Sequence, residues 1–266
     1  MATEHGAAVF PSFEALAADI DAAVVATPTV THRQLACDLL ARGVHVLVEK
    51  PIAVTVEEAD AMIEAAAAAG RVLAVGHVEF HNPAVAALLA AGGEPRFVEV
   101  ERLGVFSPRS LDIDVIADLM IHDLQILHAL DDSELAEVRA TGIAVLSERV
   151  DIVSARLELA SGLVANVTAS RVSGERVRKL RAFYRDRYRS LDYHAQEIKG
   201  YRLETRSGER RILPETLPVE SAEPLRRELE EFLAACRGEL SRSVSGADAR
   251  RALTTAHAVA TAVSRR

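Results

Sequence analysis

Three groups of residues in this chain have types and spacings that suit chemistry. The first is Glu49-Lys50-Pro51, which follows the apolar run Val44-His45-Val46-Leu47-Val48. Ligands of open α/β sheets bind beyond the carboxyl ends of the strands, so a lysine there directs an ammonium into a ligand crevice while the proline stops the strand. A lysine at a strand end with no such role simply solvates a charge. The second group is Asp118 and His122. Four residues apart on a helix they share a face, so the carboxylate can hold one ring N–H and leave the other nitrogen as a base; the bland alternative is a buried pair kept for packing. The third is Gly76-His77-Val78-Glu79-Phe80-His81-Asn82-Pro83. A helical zinc site needs Glu directly after its first His, and Glu79 stands two residues on, so no metal is expected. The segment reads instead as a strand end turning into the next domain, with His77 and Asn82 facing the same crevice as Lys50, and Phe80 and His81 as structural hinge.

The elements that must position these groups follow from periodicity. Over 21–76, short apolar runs at 22–26, 44–48 and 72–75 alternate with amphipathic helices at 31–41 and 56–69. That alternation predicts βαβ units with a parallel sheet buried on both faces. Gly43 and Gly70 suit the carboxyl caps, and Thr55 with Glu58 three residues on forms a capping box. Beyond Asn82-Pro83 the pattern predicts a helix to about 91, a strand over 96–103 and a helix over 115–130. Alternating segments at 150–159, 162–171, 177–184 and 197–205 read as antiparallel strands with one wet face. Closing helices are expected over 224–237 and 246–263. The reading is thus α/β plus α+β, with domains at 1–83 and 84–266.

What is lacking is also informative. A doubly wound dinucleotide-binding domain opens with a strand, a G-x-G-x-x-G turn and a helix whose amino end holds the pyrophosphate. None of the 14 glycines forms that spacing, and residues 1–6 read as the tail of a helix. The chain is therefore expected to start inside such a domain, about forty residues short of its beginning. The sheet would have an open edge, and affinity for the dinucleotide would be poor.

Composition narrows the partners. The 266 residues are 49% hydrophobic and 26% charged, enough for a real core, and the formal charge of −8 repels phosphate backbones and anionic membranes. Nucleic acid and membrane are not expected as partners. No run reaches the roughly 18 to 20 apolar residues of a membrane span, and no leader is apparent, so a cytoplasmic location is expected. Cys37 and Cys236 lie far apart in helical patterns and read as buried thiols of a reducing compartment.

Taken in order, Ala26-Thr27-Pro28-Thr29-Val30-Thr31-His32, Glu49-Lys50-Pro51, Gly76-His77, Asp118 to Asp123 and Val244-Ser245-Gly246-Ala247-Asp248-Ala249-Arg250 resemble the motifs of the Gfo/Idh/MocA oxidoreductases. The resemblance implies a truncated Rossmann-type parallel sheet followed by a substrate-binding and oligomerisation α+β domain with an open antiparallel sheet. It implies NAD or NADP as cofactor, a sugar or sugar-nucleotide substrate, and a homo-oligomer formed through the flat face of the second sheet. Within the family, 76–85 and Phe106-Ser107-Pro108-Arg109-Ser110 are most similar to enzymes that oxidise UDP-N-acetylglucosamine at its 3-position. Carried over, Lys50 holds or polarises the reacting hydroxyl and His122, oriented by Asp118, removes its proton; which of Lys50 and His122 is the base stays open. Thr27, Pro28, His32, Glu49, Lys50 and His77 line the cofactor. Asn82 faces the substrate, and Arg109, with Arg102 or Arg171, meets a diphosphate. An Arg-Phe pair of the family pattern is replaced here by Phe80-His81. The competing expectations are a non-catalytic sugar-nucleotide binding or assembly partner, and a dehydrogenase of another sugar or polyol.

Overall fold

The computed structural model describes residues 3–107, 113–206 and 209–265. It divides into two compact units, Met1–Gly76 with Glu230–Ala247, and His77–Leu229 with Asp248–Arg266. The division expected at residue 83 differs from this in two ways. The second unit already begins at His77, and the first recruits a late segment that a linear reading cannot assign to it.

The first unit opens with a 3-10 turn, Thr3–His5, in place of the expected helix tail, and a short helix α1 (Phe13–Ala17). Strands β1 (Ala22–Val25), β2 (His45–Glu49) and β3 (Leu73–Gly76) then form a parallel sheet in the order β1-β2-β3, joined by helices α2 (His32–Ala41) and α3 (Val56–Ala69). The central strand is buried on both faces through Val46, Leu47 and Val48, as an unbroken apolar run requires. Leu47 and Ala74 pack with Phe232 and Cys236 from the late segment. That segment also runs beside β3, where Ala74 bridges Ser245 and the Val75 N–H donates to the Val244 carbonyl at 2.9 Å. β1 is the other edge, and its Val24 is half exposed. The helix ends follow their residues. Thr55 Oγ1 accepts from the Glu58 N–H at 3.3 Å, and the Glu58 carboxylate reaches back one residue past the cap to the Val54 N–H. Gly70 closes α3 at φ 61°, a left-handed conformation that glycine adopts without strain.

In the second unit, α4 (Pro83–Ala90), β4 (Phe97–Leu103), a π turn over Ile116–Met120 and α5 (Ile121–Leu130) precede seven strands. These are β5 (Leu135–Ile143), β6 (Ile152–Leu159), β7 (Val164–Ser170), β8 (Val177–Phe183), β9 (Arg187–Asp192), β10 (Glu197–Arg206) and β11 (Glu209–Leu217). Helices α6 (Pro224–Cys236) and α7 (Gly246–Ser264) close the chain. The sheet order is β11-β10-β9-β8-β4-β7-β6-β5. It is mixed rather than wholly antiparallel, because β4 lies parallel to β7 and antiparallel to β8. One face is covered, as the strict burial alternation of β4 and β6 shows. Sequence reading passes over β5, β9 and β11: β9 and β11 carry charges on both faces, and β5 alternates only weakly. Helix α5 is buried continuously from Ile121 to His128.

His128 inside this core meets the hydroxyl of Thr255 on α7 through Nε2 at 2.8 Å. Burial pushes its imidazole down to about 4, with Arg251 adding to the shift and Asp131 opposing it. A histidine held neutral stabilises the fold fully above its ordinary value near 6.5, and that contribution is lost as pH falls from there towards the folded value. Urea unfolding should therefore show stability falling between pH 7 and pH 5, and the fall should be shallower in His128→Gln by on the order of 1–2 kcal/mol. Identical pH slopes in the two proteins would remove His128 from the account.

Candidate active site

In the first unit, the residues singled out from sequence lie at the carboxyl ends of β1 and β2. His32 is almost wholly buried, and both its ring nitrogens meet backbone carbonyls: Nε2 that of Thr27 at 2.8 Å and Nδ1 that of Pro51 at 3.0 Å. The ring thus ties the turn after β1 to the turn after β2. With both ring nitrogens turned to backbone carbonyls, His32 has a structural place joining the two turns. Thr27 and Thr31 share a hydroxyl–hydroxyl bond of 2.7 Å, and the Thr31 hydroxyl is also 2.8 Å from the Pro28 carbonyl. Thr27 and Pro28 are exposed, Glu49 and Lys50 are half-buried, and the Lys50-Pro51 peptide is cis. Glu49 packs on Gly76, where a Cβ would come within 3.1 Å of its carboxylate and displace it by a few tenths of an ångström. Threonine hydroxyls and an exposed turn beyond the strand ends stand where open α/β sheets bind their ligands.

The second unit places His77 and His122 together. Their rings meet edge to face with centroids 5.6 Å apart, and both are buried. His77 precedes the 3-10 turn Val78–His81, and His122 stands in the first turn of α5. The helix expected from 115 is α-helical only from Ile121: before it the backbone is a π turn, in which the Ile121 N–H reaches the Ile116 carbonyl. Asp118, half-buried, stands in that turn. Such widened turns inside helices recur at functional sites.

Within two residues of both histidines along the chain, Glu79 and Asp123 belong to a buried charge network that sequence reading missed. Arg102 points inward from β4 and grips Asp123 with two bonds, Nε to Oδ2 at 2.6 Å and Nη2 to Oδ1 at 2.8 Å. Its Nη1 donates to Glu79 at 2.8 Å, and the same Glu79 oxygen accepts from Arg178 at 2.9 Å. The Tyr193 ring lies under the Arg102 guanidinium, 5.0 Å from its centroid, and the Tyr193 hydroxyl donates to Asp123 at 3.3 Å. Burial works against the charge on Arg102, but Asp123 and Glu79 outweigh it and hold the guanidinium firmly protonated. The signal was in the sequence: on β4, Val98, Val100 and Arg102 share one face, so a strand with a buried face must bury that arginine and supply its counter-charge.

This corrects the expected substrate contacts. Arg102 is spent on the network just described. Arg171 is spent likewise: its Nε donates to Asp151 at 2.7 Å, Nη1 to the Ile113 carbonyl at 2.8 Å and Nη2 to the Ser147 hydroxyl at 3.0 Å. Burial alone would raise the Asp151 carboxyl, but hydrogen bonds from Ser147, Arg171 and the 145–146 backbone prevail and hold it well below the usual carboxylate range. Asn82 is the amino cap of α4, accepting from the Ala84 N–H at 3.0 Å and donating to the Tyr193 carbonyl at 2.9 Å. Arg102 and Arg171 are thus held inside the fold, whereas Asn82 also borders the cavity lined by Glu79 and Tyr193. Arg109 lies outside the described residues.

A parallel α/β unit with an ammonium beyond its strand ends, and an α+β unit carrying paired imidazoles and buried carboxylates, define an oxidoreductase built on a Rossmann-type nucleotide-binding domain. Known proteins agree. The Gfo/Idh/MocA model, an oxidoreductase family with an NAD-binding Rossmann fold, matches residues 1–77. UDP-N-acetylglucosamine 3-dehydrogenase of Acidithiobacillus ferrooxidans is 41% identical over 266 residues, covering 99% of this chain and 85% of the relative. Its solved structure superposes with a TM-score of 0.91 over 98% of this chain and 84% of that one. Inositol 2-dehydrogenase of Rhizobium meliloti is 31% identical over 58% of this chain and 52% of its own. Levoglucosan dehydrogenase in complex with NADH and levoglucosan, 20% identical, shares the fold with a TM-score of 0.86 over 99% of this chain and 84% of that one. The chain belongs to the Gfo/Idh/MocA oxidoreductases, and it is a sugar dehydrogenase of that family.

Removing Arg102 would strand the buried Asp123 carboxylate and leave Glu79 with Arg178 alone. Arg102→Met is expected to lower unfolding free energy by about 3–5 kcal/mol, and Asp123→Leu in the same protein to recover part of the loss. Chemical denaturation measures both, and a neutral single variant would contradict the network.

Proposed function

We propose that this protein oxidises a secondary hydroxyl of UDP-N-acetylglucosamine at its 3-position with NAD or NADP. The observation that carries the reading is the 41% identity to a UDP-N-acetylglucosamine 3-dehydrogenase along 99% of the chain, with Lys50, Asp118 and His122 all present in it. Oxidising a secondary alcohol separates a proton from a hydride. When bound, the nicotinamide supplies the hydride acceptor.

The proton is the protein's task. His122 is assigned as the base that removes it: its ring is sheltered from water, and its backbone is anchored by the Arg102 grip on the next residue. Asp118 is assigned to orient the imidazole. Lys50 is assigned to hold the hydroxyl as a donor, and Thr27 and Pro28 to line the nicotinamide side of the cofactor. His77, packed edge-on against His122, is assigned to fix the ring plane rather than to touch the cofactor. The wet face of the large sheet, with Glu99, Arg156, Thr168 and Arg181, is assigned to association with a second copy in the cytoplasm.

The test is formation of reduced nicotinamide with UDP-N-acetylglucosamine and, in parallel, with myo-inositol. Turnover of the first alone is expected, and turnover of inositol alone would overturn the substrate. His122→Asn and Lys50→Met should each lower kcat by roughly 10²–10⁴-fold without loss of fold by circular dichroism. Unchanged kcat in either variant removes that residue from the chemistry.

A further inference from the structure

Of the arginines expected to meet a diphosphate, Arg102 and Arg171 are engaged inside the fold and Arg109 lies outside the described residues; a nucleotide sugar carries two phosphate groups that need donors. A cavity of about 800 Å³ in the second unit answers the need. Its volume is within the range of small-molecule sites, about 300–1,000 Å³. It opens at the start of β8 and the end of β9, and Glu79 and Tyr193 of the buried network form part of its wall.

Three cations line it: Arg176, Arg178 and Lys179. Arg178 is the one the structure orients. One of its nitrogens is fixed on Glu79 at 2.9 Å while the side chain stays 47% exposed, so the remaining donors of the planar fork are held towards the cavity at little further entropic cost. The wall also carries four carboxylates, Glu79, Glu175, Asp192 and Glu223, and Asp192 lies 3.9 Å from the Lys179 ammonium. Glu79 is shared by two guanidiniums, Asp192 accepts from the N–H groups of His194 and Ala195 at 3.0 Å each, and Glu223 accepts from those of Leu225 and Arg226. Carboxylate beside guanidinium is the lining that suits a ligand with both hydroxyl donors and phosphate acceptors, as a ribose diphosphate has.

We propose that this cavity seats the nucleoside diphosphate end of the substrate, with Arg178, held by Glu79, as the guanidinium that binds the diphosphate and Arg176 and Lys179 completing the charge. The inference rests on the nucleotide-sugar reading above and adds the place where that substrate is gripped. It also gives the network a second role. Glu79 joins Arg178 to Arg102, and Arg102 joins Asp123 beside His122, so the group that senses the phosphates shares a rigid frame with the base.

Calorimetric titration of the full chain with UDP, uridine and inorganic pyrophosphate tests this without cofactor or turnover. UDP is expected to bind more tightly than uridine. Arg178→Met should weaken UDP binding by about tenfold or more and leave uridine unchanged, Arg178→Lys should recover part of the loss, and Arg210→Met on β11 should change nothing. Unchanged UDP affinity in Arg178→Met, with the urea midpoint preserved, overturns the site. If the wild type oxidises UDP-N-acetylglucosamine and Arg178→Met does so with the same KM, the subsite falls and the function stands. If the wild type neither binds UDP nor oxidises the UDP-sugar, the site and the function fall together.

Discussion

The second unit is organised around one guanidinium that cannot give up its charge. A buried arginine stays protonated at any ordinary pH, so the fold must surround it with acceptors or expel it. Meeting that demand at Arg102 draws together four pieces distant in sequence: the turn holding Glu79, the central strand β4, the first turn of α5 with Asp123, and Tyr193 after β9. The placement of His77 and His122 follows, since each stands within two residues of a carboxylate that Arg102 binds.

Such a cluster is a poor source of net stability, because removing four polar groups from water offsets most of what their attraction returns. Its value lies in what apolar packing cannot decide. Helix α5 is buried from Ile121 to His128, so no polar face tells it how to rotate about its axis. The bidentate Arg102–Asp123 contact and the Nε2 contact of His128 with Thr255 set that rotation from the two ends of the helix. His122, one residue before Asp123, is aimed by that setting.

Much of the architecture was readable from the chain alone. The βαβ spacing, the caps at Thr55 and Gly70, and the alternation in β6 to β8 are local properties, and they lead to the right elements within a residue or two. Family order and spacing mark the motif residues Lys50, Asp118 and His122 in the chain. Less legible was everything set by distant partners. The π turn depends on how Ile116–Met120 meets its surroundings, and β9 and β11 are strands only because neighbours pair with them. The arginines show the limit most clearly: sequence separates neither Arg102 and Arg171, turned inward, from Arg178, turned to a cavity, until the face of each strand is known.

The parallel pairing of β4 with β7 has a consequence for how the molecule is made. β4 ends at Leu103, yet its two partners are β7, finished at Ser170, and β8, finished at Phe183. A strand destined for the middle of the sheet must therefore leave the ribosome with both edges open and a charged side chain on its inner face, and must wait until both later strands have emerged. Non-local pairing of this kind slows folding, because a long loop must close before any contact rewards it. The inward arginine then has a use while the chain is still growing: a charge on the otherwise apolar inner face of an unpaired strand discourages the premature association that such a face invites.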